Sequence, residues 1–121
     1  MKELGIYIHI PFCAAKCPYC NFYSLPHSQS KWQEYTDTLC QVLERWQGRG
    51  LHAKTLYFGG GTPSLLPANL LLQIKDTACR VFGQPEEITL EANPGLCTLP
   101  KLMQLRQGGF NRISFGVQSL D

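Results

Sequence analysis

The chain has 121 residues, enough for one domain of ordinary size and few for an enzyme that must enclose a large substrate unaided. With 44% hydrophobic and 17% charged residues it can bury a core, while a net charge of +2 without any Lys/Arg block argues against nucleic acid or a membrane surface as partner. No apolar run approaches the roughly 20 residues that a bilayer demands, and the N-terminus lacks a signal-peptide pattern, so the expected location is the cytoplasm.

Leu4 to Pro11 alternates Leu4, Ile6, Ile8 and Ile10 with Gly5, Tyr7 and His9, the period of a strand that Pro11 ends. Tyr7 and His9 share one face. Read for structure alone, Tyr7 is a half-buried ring and His9 a satisfied histidine, and for His9 that structural reading is preferred. Directly after this strand come Cys13, Cys17 and Cys20, spaced C-x-x-x-C-x-x-C, so one compact turn can aim three sulfurs at a common centre. The six cysteines of the chain are unevenly spread, and such a cluster in a reducing compartment points to a metal rather than to disulfides. Three thiolates suit zinc or an iron-sulfur cluster. On a cubane of four irons they leave one iron open to a small chelating molecule.

From Ser30, the residues Trp32, Tyr35, Leu39, Val42, Leu43 and Trp46 recur at helical steps, with Ser30 and Gln33 as a capping box and Gly48 as the stop. Cys40 beside this stripe is expected to pack as a small hydrophobe. A second strand, Ala53 to Phe58, places Leu56 and Phe58 opposite Thr55 and Tyr57 and runs into Gly59-Gly60-Gly61-Thr62-Pro63. The glycines permit close backbone approach to a ligand and are expected to leave amide N–H groups free for an anion. A tight strand-to-helix turn explains the same residues, and the spacing matches neither a dinucleotide fingerprint nor a P-loop.

Leu71, Ile74, Ala78, Val81 and Phe82 define a second amphipathic helix that Gly83 terminates, with Cys79 inside it as packing. Glu87 to Ala92 is a third strand, with Ile88, Leu90 and Ala92 on one face, Thr89, Glu91 and Asn93 on the other, and Pro94 after it. Glu91 is a solvated strand carboxylate or, near the strand end, a ligand contact. A third helix is expected from Thr98 to Gln107 with Leu99, Leu102, Met103 and Leu105, Cys97 before it being incidental. A fourth strand, Arg112 to Phe115, leads into Gly116-Val117-Gln118. This alternation predicts an α/β fold with parallel strands, whose ends share one edge of the sheet. The cysteine loop, the glycine run, Glu91 and Gln118 should therefore converge on one rim.

Tyr-Ile-His-Ile-Pro-Phe before the cysteines, Gly-Gly-Gly-Thr-Pro-Ser, Glu-Ala-Asn-Pro and Arg-Ile-Ser-Phe-Gly-Val-Gln-Ser, in this order, resemble the radical S-adenosylmethionine (SAM) proteins of the oxygen-independent coproporphyrinogen III oxidase group. The resemblance covers nearly the whole chain. It implies a 4Fe-4S cluster on Cys13, Cys17 and Cys20, with the amine and carboxylate of S-adenosylmethionine chelating the fourth iron. It also implies that Tyr7 and Tyr19 flank the cofactor, that Gly60, Gly61 and Thr62 cradle its methionyl end, and that Glu91 and Gln118 contact the rest. In the family an electron from the cluster, furnished by an electron donor, splits the sulfonium bond and releases a radical that abstracts hydrogen from a substrate.

Within the group, the oxidase branch carries a further cysteine two residues beyond the triad, where this chain has Phe22. Cys-Pro-Tyr-Cys-Asn-Phe more resembles the HemW-type haem chaperone branch, which implies haem or a porphyrin as partner. A different class of protein, a zinc module closed by His9 or His27, stays compatible with the cysteines alone. The resemblance further implies a partial parallel (β/α) barrel of which residues 1–121 are the N-terminal part, the first three to four βα units, so that the chain is expected to be a fragment or a truncated product.

Overall fold

The computed structural model describes residues 2–12, 29–93, 95 and 97–115, with the backbone alone at 29 and 30. Strands and helices alternate: β1 (Lys2–Ile10), α1 (Gln29–Glu44), β2 (Leu51–Gly60), one 3-10 turn (Pro63–Leu65), α2 (Ala68–Phe82), β3 (Glu87–Ala92), α3 (Leu99–Gln107) and β4 (Arg112–Phe115). The strands form one sheet in the order β1-β2-β3-β4, and all three pairings are parallel. This is the expected α/β fold of partial-barrel type.

Alternation along each strand decides which face is covered. Ile8 and Ile10, Leu56 and Phe58, and Ile88, Leu90 and Ala92 are buried on one face, with Ile6 and Ile113 partly so. Helices α1 and α2 pack against each other and their apolar sides join this core, to which α3 adds Leu105. The opposite face carries Tyr7, His9, Tyr57, Glu91 and Ser114, and no described helix lies over it.

The expected helical faces need correction at their flanks. On α1 the buried positions are Thr36, Cys40 and Leu43, with Trp32, Tyr35 and Leu39 packed beside them; Val42 is exposed, and Trp46 lies past the helix in a turn of i→i−3 bonds, its ring under the Arg49 guanidinium at 5.0 Å. The stripe therefore runs through 36 and 40 rather than 42 and 46. The proposed Ser30–Gln33 cap rests on a side chain outside the described residues. Cys40 is buried as expected and accepts a hydrogen bond from Thr77 Oγ1 at 3.4 Å across the α1–α2 contact. Gly83 follows the last residue of α2, as expected. On α3 the Thr98 side chain caps Lys101 N–H, and Leu99 and Met103, one turn apart on one side of the helix, are exposed while Leu105 is buried.

Strand β4 pairs only with β3 among the described residues, and Phe115 at its end is half exposed. An edge strand of this kind with Phe115 exposed on it is a template for self-association. The 121-residue chain expressed alone is expected to run as soluble oligomers or aggregate in size-exclusion chromatography, and Phe115→Lys to shift material toward monomer. A cooperative thermal transition from a soluble monomer would contradict this.

Candidate functional site

Strand β1 stops at Ile10 because Pro11 has no N–H with which to continue the ladder. The chain is nevertheless held for two residues more. Phe12 is fully buried, its ring edge-on to Tyr35 at 5.6 Å, and the Tyr35 hydroxyl donates to the His9 carbonyl. From the neighbouring loop, Gly61 N–H donates to Ile10 O at 2.9 Å and Thr62 N–H to Phe12 O at 2.7 Å. The residue immediately before Cys13 is thus tied to the glycine run.

These bonds overturn one expectation. The amides of Gly61 and Thr62 are not free for an anion, since they complete the pairing that Pro11 interrupts. The loop instead offers acceptors to a ligand: carbonyl oxygens and the Thr62 hydroxyl, which makes no capping bond to the turn that follows. Glycine is required here for two separate reasons. Gly60 has φ +120°, and a Cβ there would lie 2.6 Å from Ile10 O; a Cβ on Gly59 would lie 2.6 Å from the Tyr7 hydroxyl and 2.9 Å from the Tyr57 ring.

Across the open face a belt of polar side chains follows from strand register. Tyr7 pairs with Tyr57, and their rings stack at 5.8 Å with 14° between planes. Tyr57 pairs with Thr89, and its hydroxyl reaches one pleat further to donate to Glu91 Oε2 at 2.7 Å. Glu91 pairs with Ser114. The Glu91 hydrogen bond holds the Tyr57 proton and pushes its pKa above the usual 10, with burial adding to this and a hydrogen bond from Ser114 opposing it. Burial and then the Glu91 charge raise Tyr7 as well. Both phenols are therefore protonated donors near neutrality.

Tyr7 is 57% exposed, so it is no core ring. His9 is exposed on the same face, with its ring 6.2 Å from that of Tyr7 and no hydrogen-bond partner for its side chain among the described residues. The structural reading of His9 thus finds no hydrogen-bond partner among the described residues, and the ring lies on the exposed face. Behind the glycine run, buried Ser64 accepts from Asn93 N–H at 3.1 Å through Oγ, and its carbonyl accepts from Lys101, whose pKa burial lowers. That link fixes the end of β3 against the loop after β2.

Of the expected site residues, Tyr7, Gly60, Gly61, Thr62 and Glu91 lie at the same end of the sheet. Cys13, Cys17, Cys20, Tyr19 and Gln118 lie outside the described residues, and among the described residues no cluster of metal ligands occurs. Sequence reading passed over Tyr57. Its signal was its place two residues before the glycines on the face shared with Tyr7, but the contact with Glu91 depends on the parallel register. The belt suits S-adenosylmethionine by donor chemistry: a carboxylate and a carbonyl-rich loop meet a cofactor whose ammonium, hydroxyl and amino groups all donate.

Comparison with known proteins places these features in context. The family model of the Radical SAM superfamily matches residues 7–121. The chain is 39% identical over 129 residues to the heme chaperone HemW of Escherichia coli strain K12, covering 98% of this chain and 33% of that one. It is 41% identical over 136 residues to the heme chaperone HemW of Haemophilus influenzae, covering all of this chain and 34% of the relative. A solved structure of coproporphyrinogen III oxidase (HemN) from Escherichia coli, described as a radical SAM enzyme, superposes with a TM-score of 0.83 at 32% identity, over 99% of this chain and 29% of that one. The chain spans about a third of the length of the curated relatives it matches.

Because Gly60 combines positive φ with a backbone atom where Cβ would stand, Gly60→Ala is expected to destabilise the intact protein by about 2 kcal/mol or more. Urea unfolding measures it. A change below about 0.5 kcal/mol would mean that this loop is not held as described.

Proposed function

The chain belongs to the radical SAM superfamily, and we propose that it is the N-terminal part of the core domain of a HemW-type haem chaperone, the part that holds a 4Fe-4S cluster and S-adenosylmethionine. In this reading Cys13, Cys17 and Cys20 ligate three irons and leave the fourth to the amine and carboxylate of the cofactor. The observation that carries it is the bonding of Phe12, next to Cys13, to the Gly61–Thr62 loop, at the same strand ends as the Tyr7–Tyr57–Glu91 belt. When bound, cluster and cofactor supply one-electron chemistry at the sulfonium bond, fed by an external electron donor.

The chain's own residues bind and orient. The carbonyls of Gly60 and Gly61 and the Thr62 hydroxyl accept from the N–H groups of the methionyl amine. Tyr7 and Tyr19 flank the cofactor, and Glu91 and Gln118 contact its remaining polar groups. Haem, or a porphyrin, is the proposed partner of the whole protein. The cytoplasm is its proposed location; no described helix is long and apolar enough to cross a membrane.

A coproporphyrinogen-decarboxylating oxidase is the second reading, favoured by the likeness to the HemN structure. Phe22, at the position where that branch carries a further cysteine, speaks against it. Reconstituted anaerobically, the intact protein is expected to be brown with about four irons per chain, to lose them on Cys13→Ala, and to bleach in air. A colourless preparation holding one zinc would sink the cluster. With the cluster in place, haem binding without consumption of coproporphyrinogen supports the chaperone, and decarboxylation supports the oxidase.

A further inference from the structure

We propose that Tyr57 is a positioning residue: its hydroxyl fixes one oxygen of Glu91 so that the other meets a hydrogen-bond donor of S-adenosylmethionine. The inference rests on the reading that Glu91 contacts the cofactor, and it adds a residue and a means of action which that reading does not contain.

The geometry is specific. A glutamate on a strand has three side-chain torsions, and unless something grips its carboxylate those torsions stay mobile on an open face. Tyr57 supplies the grip from the adjacent strand. Its ring stacks on Tyr7, which limits its swing, and its hydroxyl donates to Oε2. Oε1 has no partner among the described residues, and Glu91 forms no ion pair there. An ionised carboxylate can only accept, so the free oxygen suits an N–H or O–H of the cofactor. Ser114, the register partner of Glu91 on β4, lies beside this pair and partly offsets the rise in the Tyr57 pKa. The raised pKa of Tyr57 keeps that proton in place through the neutral range. A role confined to ring packing would need neither the hydroxyl nor its alignment.

The test separates hydroxyl from ring. In the anaerobically reconstituted intact protein, S-adenosylmethionine binding is measured by equilibrium dialysis and by the change it causes in the electron paramagnetic resonance of the reduced cluster, for the parent, Tyr57→Phe, Glu91→Ala and the double variant. Tyr57→Phe keeps the stacked ring, and iron content checks that cluster assembly is unchanged. The expected result is roughly tenfold weaker binding for Tyr57→Phe, falling to less than about twofold when Glu91 is already alanine. Binding by Tyr57→Phe within about twofold of the parent, while Glu91→Ala binds weakly, overturns the inference and leaves the role of Glu91 standing. Equal losses from Tyr57→Phe in both backgrounds also overturn it, because the hydroxyl would then act independently of Glu91. If Glu91→Ala binds as tightly as the parent, the cofactor role of Glu91 fails and the inference falls with it.

Discussion

The structure depends on a pairing that continues after the strand producing it has ended. Pro11 cannot extend β1, yet Gly61 and Thr62 N–H groups reach across to Ile10 O and Phe12 O, and buried Phe12 anchors the same point from the core side. Two short backbone hydrogen bonds contribute about 1 kcal/mol each in net terms. Their larger effect is on where things are. They join the root of the cysteine segment to the glycine run, Ser64 joins the glycine run to Asn93, and Lys101 joins it to α3. Loops from three strands thereby become one rim.

That pairing also decides what the rim can bind. A glycine-rich turn is usually read as a source of N–H donors and hence as an anion site. Here the donors of Gly61 and Thr62 are already committed, and what remains are acceptors. The same sign recurs at Glu91, a carboxylate whose described partner is a neutral phenol rather than a cation. Both features favour a ligand that is cationic and rich in donors over a phosphate or a simple carboxylate.

Much of this architecture was legible in the sequence, because alternation in Leu4 to Ile10 and Glu87 to Ala92 is a local signal that the tertiary structure only had to respect. β3 and β4 fall within the bounds that the pattern set. The misread helix positions share one cause. Val42 and Trp46 are apolar at helical spacing, and periodicity cannot say how far round a helix the covering neighbour extends. Tyr57 escaped for a related reason. Its importance lies in what stands beside it on other strands, and register between strands distant in sequence leaves no mark within either. The amides of the glycine run were misjudged because nothing in Gly-Gly-Gly-Thr shows that Pro11, some fifty residues earlier, breaks a ladder they must complete.

In the proposed reading Glu91, without an ion-pair partner among the described residues, connects the fold to the chemistry. Glu91 lies on the open sheet face with one phenolic hydrogen bond and, among the described residues, no counter-ion. Pairing it with an arginine would neutralise the face and fill the space above it. Pairing it with Tyr57 leaves both the charge and one oxygen available. In the proposed reading S-adenosylmethionine brings a sulfonium cation, and displacement of water on its entry would strengthen the attraction between that cation and Glu91 as the local dielectric falls. The stacked tyrosines assist by adding apolar surface beside the charge without adding a competing cation. Neutral phenols around one acidic group would, in the proposed reading, admit a cationic nucleoside, and the parallel register of β1, β2 and β3 is what assembles them.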